Sequence, residues 1–147
     1  MIPLCVEEGI GIIPWSPLAR GFLAGNRRLQ DFGDTSRAKT DDFAHEMYFT
    51  PVDFTIAERV VALASRLGAK PTQVALAWML SKSAVSAPIV GASKLSHLDD
   101  AVGALNVKLT PEDVAYLEEL YQPRPVLGVG PVGRPLPSVD PSLQNRR

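Results

Sequence analysis

Apolar residues recur at helical spacing along two adjacent stretches of the chain. Between Phe54 and Leu67, residues Ile56, Val60, Leu63, Ala64 and Leu67 share one face of a helix, and Gly68 stands where a C-cap belongs. Pro71 opens a second helix through Leu80, with Val74, Ala75, Trp78 and Met79 as its buried stripe. The pattern predicts a third helix from His97 to Leu105. A fourth begins at Thr110, Pro111, Glu112 and Asp113, which supply an N-cap, a first-turn proline and two acids suited to the helix dipole, and it ends near Tyr121. Met1 to Gly9 reads as the end of a helix, with Gly9 as its C-cap.

Two shorter runs have another pattern. Ile10 to Pro14 and Ala87 to Val90 are almost uniformly apolar and rich in β-branched residues, as strands buried on both faces of a parallel sheet are. The polar, aperiodic stretch from Gly25 to Thr50 reads as a long loop, and the proline-rich stretch after Gln122 as an extended tail. Strands alternating with helices argue for an α/β chain with parallel strands. Two strands cannot close a sheet, and a (β/α)8 barrel needs roughly 250 residues. The expected fold is therefore a partial (β/α)8 barrel with two parallel strands and about four helices in residues 1–121, followed by a separate tail, 122–147.

Composition narrows the function classes. A net charge of -1 and a sequence pI near 6.1 leave no broad basic field for a phosphate backbone, so nucleic acid is not an expected partner. No apolar run approaches the ~20 residues of a membrane span, and the N-terminus has no signal-peptide pattern, which points to the cytoplasm. Cys5, the single cysteine, cannot form an internal disulfide and reads as a small buried hydrophobe.

Ligands of parallel α/β folds bind where strands end in polar, glycine-containing turns. The first such turn is Trp15, Ser16, Pro17, Leu18, Ala19, Arg20 and Gly21. A flat aromatic, a hydroxyl, a guanidinium and a glycine can together stack a ring and hold a pyrophosphate, and the competing reading is a surface turn with a packed tryptophan. The second turn, Gly91, Ala92, Ser93 and Lys94, opens a helix whose free amides and positive dipole end attract phosphate. By itself Lys94 could equally be a solvated cation. Two adjacent strand ends carrying these residues fit one anionic ligand.

The two motifs Gly11-Ile-Ile-Pro-Trp-Ser-Pro-Leu-Ala-Arg-Gly21 and Ala87-Pro-Ile-Val-Gly-Ala-Ser-Lys94, the latter followed by His97-Leu-Asp-Asp100, resemble the seventh- and eighth-strand turns of the aldo-keto reductases. The resemblance runs from Met1 to about Tyr121 and implies the C-terminal half of that family's (β/α)8 barrel. It implies that Trp15 stacks on nicotinamide, that Ser16, Leu18, Arg20 and Gly21 line the pyrophosphate, and that Ser93 and Lys94 hold the 2′-phosphate of adenosine ribose. The implied cofactor is thus NADPH. Asp100 matches the acid that meets the adenine amino group, and Gly91 belongs to the same eighth-strand turn. His97 stands where the family commonly has Gln, and Ala101 where it has Asn, which changes one phosphate contact and removes one adenine contact.

In that family a tyrosine, a lysine, an aspartate and a histidine reduce the carbonyl, and all four belong to the first half of the barrel. None of Tyr48, Tyr116, Tyr121, His45 or His97 matches them, so no catalytic residue is expected here. Met1 reads as an internal methionine of a longer sequence. Two function classes stay open: the cofactor-binding part of an enzyme that reduces a small carbonyl compound in a complete barrel, and a non-catalytic module that binds nucleotide or protein, as the potassium-channel β subunits of that family do. Unpaired strand edges also leave self-association open.

Overall fold

The computed structural model describes residues 1–25, 48 and 50–123; most of the predicted loop Gly25 to Thr50 and of the tail 122–147 lies outside them. The described elements are α1 (Ile2–Glu7), a 3-10 segment (Ala19–Ala24), α2 (Pro51–Leu67), α3 (Pro71–Leu80), α4 (Leu95–Gly103), a 3-10 turn (Ala104–Asn106) and α5 (Pro111–Glu118).

Local chemistry explains where these helices start and stop. Thr50 belongs to α2 rather than to a loop: its hydroxyl accepts from the Asp53 amide while Asp53 Oδ2 accepts from the Thr50 amide at 2.9 Å, with Pro51 in the first turn. Thr110, Pro111 and Asp113 repeat the same box at α5. At the C-terminus of α1, Gly9 adopts φ 65, its N–H reaches Val6 O at 3.3 Å, and Ile10 N–H reaches Cys5 O at 2.7 Å. Gly68 ends α2 in the same left-handed way.

Helix α3 lies at the centre. Val74, Ala75, Leu76 and Ala77 are all buried, so it is covered nearly all round, by α2, α4 and both 3-10 segments. This corrects the expected stripe, because Trp78 and Met79 are only half-buried while Leu76 and Ala77 are inside. One core cluster joins Val60, Leu63 and Ala64 of α2 to Val74 and Leu117, with Leu23, Ala69, Trp78 and Leu109 against it. A second packs Phe22, Phe54 and Ala57; the rings of Phe22 and Phe54 meet edge-on at 5.1 Å, and Tyr48 stacks on Phe22.

The two expected strands meet in parallel, but only as isolated bridges, Ile12 to Val85 and Trp15 to Ile89. Three hydrogen bonds join them: Ile12 N–H to Ala84 O (2.9 Å), Ser86 N–H to Ile12 O (2.8 Å) and Ile89 N–H to Pro14 O (2.8 Å). Pro14 and Pro88 have no N–H to continue the ladder, so no extended strand forms among the described residues. The predicted burial of these segments also fails, since Ile13 is 62% and Ile89 53% exposed. No third strand flanks the pair among the described residues. Cys5, expected to be buried, is half-exposed.

Polar staples hold α5 to α2 and α3. Arg59 donates to Tyr116 O, pairs with Glu119 at 2.6 Å and lies over the Tyr116 ring. Glu118 accepts from Lys82 and from Trp78 Nε1 at 2.7 Å. The Lys82 hydrogen bond, aided by that of Trp78, holds the Glu118 carboxyl below its ordinary 4.5. A carboxyl lowered by folding stabilises the fold above its ordinary value, and that contribution is lost as pH falls through the folded value. Thermal melts from pH 6 to 3 are therefore expected to fall less steeply with acid in Glu118→Gln than in the parent chain; parallel curves would contradict the assignment.

Candidate functional site

The bridge between Trp15 and Ile89 sets the geometry of the site. The paired segments run parallel, so the turns that follow them leave at the same end: Trp15 to Gly21 from the first, Gly91 to Lys94 from the second. The two segments that lead into these turns are therefore adjacent, joined by two bridges instead of a sheet.

The first turn is conformationally strained. Ser16 (φ 51), Ala19 (φ 48) and Arg20 (φ 56) all lie in the left-handed region, followed by Gly21 at φ 89. Non-glycine residues enter this region at a cost of roughly 1–2 kcal/mol each, and such strain persists only where surrounding contacts over-determine it. Those contacts are visible: Pro17 and Phe22 are buried, Ala19 N–H and Gly21 N–H bond to Ser16 O and Leu18 O at 2.9 Å, and Leu23 packs into both core clusters. Trp15, by contrast, is 63% exposed. That removes the reading of a packed tryptophan and leaves its ring face available for stacking. Ser16, Leu18, Arg20 and Gly21 are all half-buried around the kinked backbone.

In the second turn Gly91, Ala92, Ser93 and Lys94 are exposed. Lys94 is the N-cap of α4 with extended backbone, and no side chain caps the helix. Its first amides therefore point toward solvent beside an ammonium and a hydroxyl, an arrangement suited to an anion. His97 is exposed one turn into α4, with its N–H on Lys94 O at 3.0 Å.

Asp100 lies farther along α4 and is already engaged: its Oδ1 accepts from Lys70 Nζ at 2.6 Å. The sequence reading missed Lys70, and the short-range pattern carries no signal for it because the contact spans α3 and α4. Of the tyrosines, Tyr48 packs on Phe22, Tyr116 lies beneath Arg59, and Tyr121 is 69% exposed. His45 lies outside the described residues. Among the described residues no three His, Cys, Asp or Glu side chains cluster as metal ligands would, and no helix is long and apolar enough to cross a membrane.

A profile of the Aldo/keto reductase family matches residues 1–122. The chain belongs to this family. Among curated aldo/keto reductase relatives, a Schizosaccharomyces pombe protein named as an aryl-alcohol dehydrogenase is 43% identical over 128 residues, covering 87% of this chain and 35% of that protein. Versiconal hemiacetal acetate reductase of Aspergillus parasiticus is 41% identical over 129 residues, covering 86% of this chain and 36% of its own length. A Glycine max protein named as an aldo-keto reductase is 38% identical, with 86% and 35% covered. The chain thus spans little more than a third of the length of these relatives. The aldo/keto reductase match includes both turns, α2 to α5 and the two bridges.

Proposed function

We propose that this chain is the nicotinamide-cofactor-binding part of an aldo/keto reductase, with NADPH as its ligand and a small carbonyl compound as the substrate of the complete protein. The observation that carries this reading is the Trp15 to Ile89 bridge, which sends an exposed aromatic turn and an uncapped, lysine-flanked helix start to the same end of the chain. In this reading Trp15 offers its ring to the nicotinamide, and the kinked turn of Ser16, Leu18, Arg20 and Gly21 follows the pyrophosphate. Ser93, Lys94 and the first amides of α4 take the 2′-phosphate, with Gly91 beside them in open space, where a Cβ would meet nothing within 4 Å. His97 adds a ring donor on the same helix face. The bound cofactor would supply a hydride to the carbonyl carbon. Tyr48 stacks on Phe22 and Tyr116 lies beneath Arg59, so both are engaged in packing, and the chain alone is expected to bind and not to reduce.

Titrating the purified chain with NADPH, followed by tryptophan fluorescence, tests the reading. Quenching is expected with NADPH in preference to NADH. Replacing Lys94 by Ala should weaken NADPH binding by about tenfold or more, the scale of one charge-assisted phosphate contact, while leaving NADH nearly unaffected. A folded chain that shows no response, or a Lys94→Ala chain that binds NADPH as well as the parent, would refute it.

A further inference from the structure

Lys70 is the N-cap of α3, and its side chain crosses to α4 to meet Asp100. Its backbone is fixed from two sides. Pro71 follows it, and the Lys70 N–H donates to Gln73 Oε1 at 2.9 Å. Gln73 in turn lies where a side chain on Gly103 would be, one turn beyond Asp100, so the glycine of α4 makes room for the group that holds Lys70. This closed set of contacts between the start of α3 and one face of α4 selects Asp100 and not its neighbour Asp99.

An exposed ion pair adds little to stability. Its effect is on orientation. Lys70 takes Oδ1, and Oδ2 of Asp100 has no partner among the described residues. Lys94, His97 and Asp100 stand three apart along one ridge of α4, which places Asp100 about 9 Å along the axis from the N-cap. That is the scale separating a ribose 2′-phosphate from the far edge of an adenine ring.

Resting on the cofactor reading above, we infer that Lys70 is a positioning residue for base recognition: by pinning one oxygen of Asp100 it aims the other at the exocyclic amino group of adenine. The pairing also neutralises a carboxylate that would otherwise repel the phosphates of the same ligand.

The test is calorimetric binding of NADPH and of its hypoxanthine analogue, deamino-NADPH, to the full chain. A carboxylate oxygen accepts from the amino group and repels the keto oxygen that replaces it, so the parent should prefer adenine by about tenfold. Lys70→Met is expected to reduce that preference to within about threefold, Lys70→Arg to retain it, and Asp100→Asn to match Lys70→Met with no further loss in the double variant. Lys94→Ala should weaken both ligands equally, which a merely structural role for Lys70 would also do and a positioning role would not. Unchanged discrimination in Lys70→Met, or no preference in the parent, overturns the role of Lys70 and leaves the cofactor reading standing. Failure of the parent to bind either dinucleotide overturns both.

Discussion

Replacing Leu63 by Ala lowers the stability of the chain by about 3 kcal/mol, within the 2–5 expected for truncating a buried leucine. Leu63 is 2% exposed and lies between Val60, Ala64, Val74 and Leu117, which come from three different helices. The cost has two sources: the lost transfer free energy of the side chain and the void left where neighbours cannot collapse. Collapse is hindered here because α3, on the far side of the cavity, is packed all round and cannot slide toward α2 without opening a gap elsewhere. The total stability of domains of this size is about 5–15 kcal/mol, so this one change removes a large share of it. Urea denaturation gives the value, with Val102→Ala as the control. Val102 is 64% exposed and should stay within about 0.5 kcal/mol of the parent. Equal shifts in both variants would mean that the Leu63 cluster is not the core.

The second large effect is at Asp113. Its carboxylate is buried, accepts from the Thr110 amide at 3.0 Å, and pairs with Arg66 of α2. Asp113→Ala is expected to cost about 2–3 kcal/mol, because it removes half of a capping box and leaves a helix-terminal amide without its acceptor. Arg66 contributes less, since its side chain is 62% exposed and such pairs are worth at most ~1 kcal/mol. Asp113→Asn separates the two: it keeps an acceptor for Thr110 while removing the charge, and should recover more than half of the loss. Were the Asn and Ala variants equally destabilised in urea, the ion pair and not the cap would be the dominant contribution.

What could be read in advance was mostly local. Gly68, Pro71, Thr110 and Pro111 mark helix ends through interactions that span four residues or fewer, and the structure places helix ends at each of them. The same signal at Thr50-Pro51-Val52-Asp53 is masked by the polar stretch it closes, although it is the pattern of Thr110-Pro111-Glu112-Asp113 over again. Burial was less legible. Apolar runs at Ile10 to Pro14 and Ala87 to Val90 predict an enclosed sheet, yet apolarity states only what a segment would gain by being covered, and Ile13 and Ile89 remain exposed. The turns of the candidate site were found from their residue types. The contact of Lys70 with Asp100 was not, because it depends on how α3 and α4 dock, which no short-range pattern encodes.

The two parallel bridges also order events in time. α2 and α3 are neighbours in sequence and can dock as soon as they form, whereas Ile12 and Trp15 must find Val85 and Ile89 across most of the described chain. Closing so long a loop is slow and entropically costly. The helical unit should therefore assemble first, with the two turns meeting last and parting first. A dinucleotide gripping both turns would capture only chains that have completed this final step. By mass action it would then hold the step closed, so that the abundance of the ligand sets how much of the population is fully assembled.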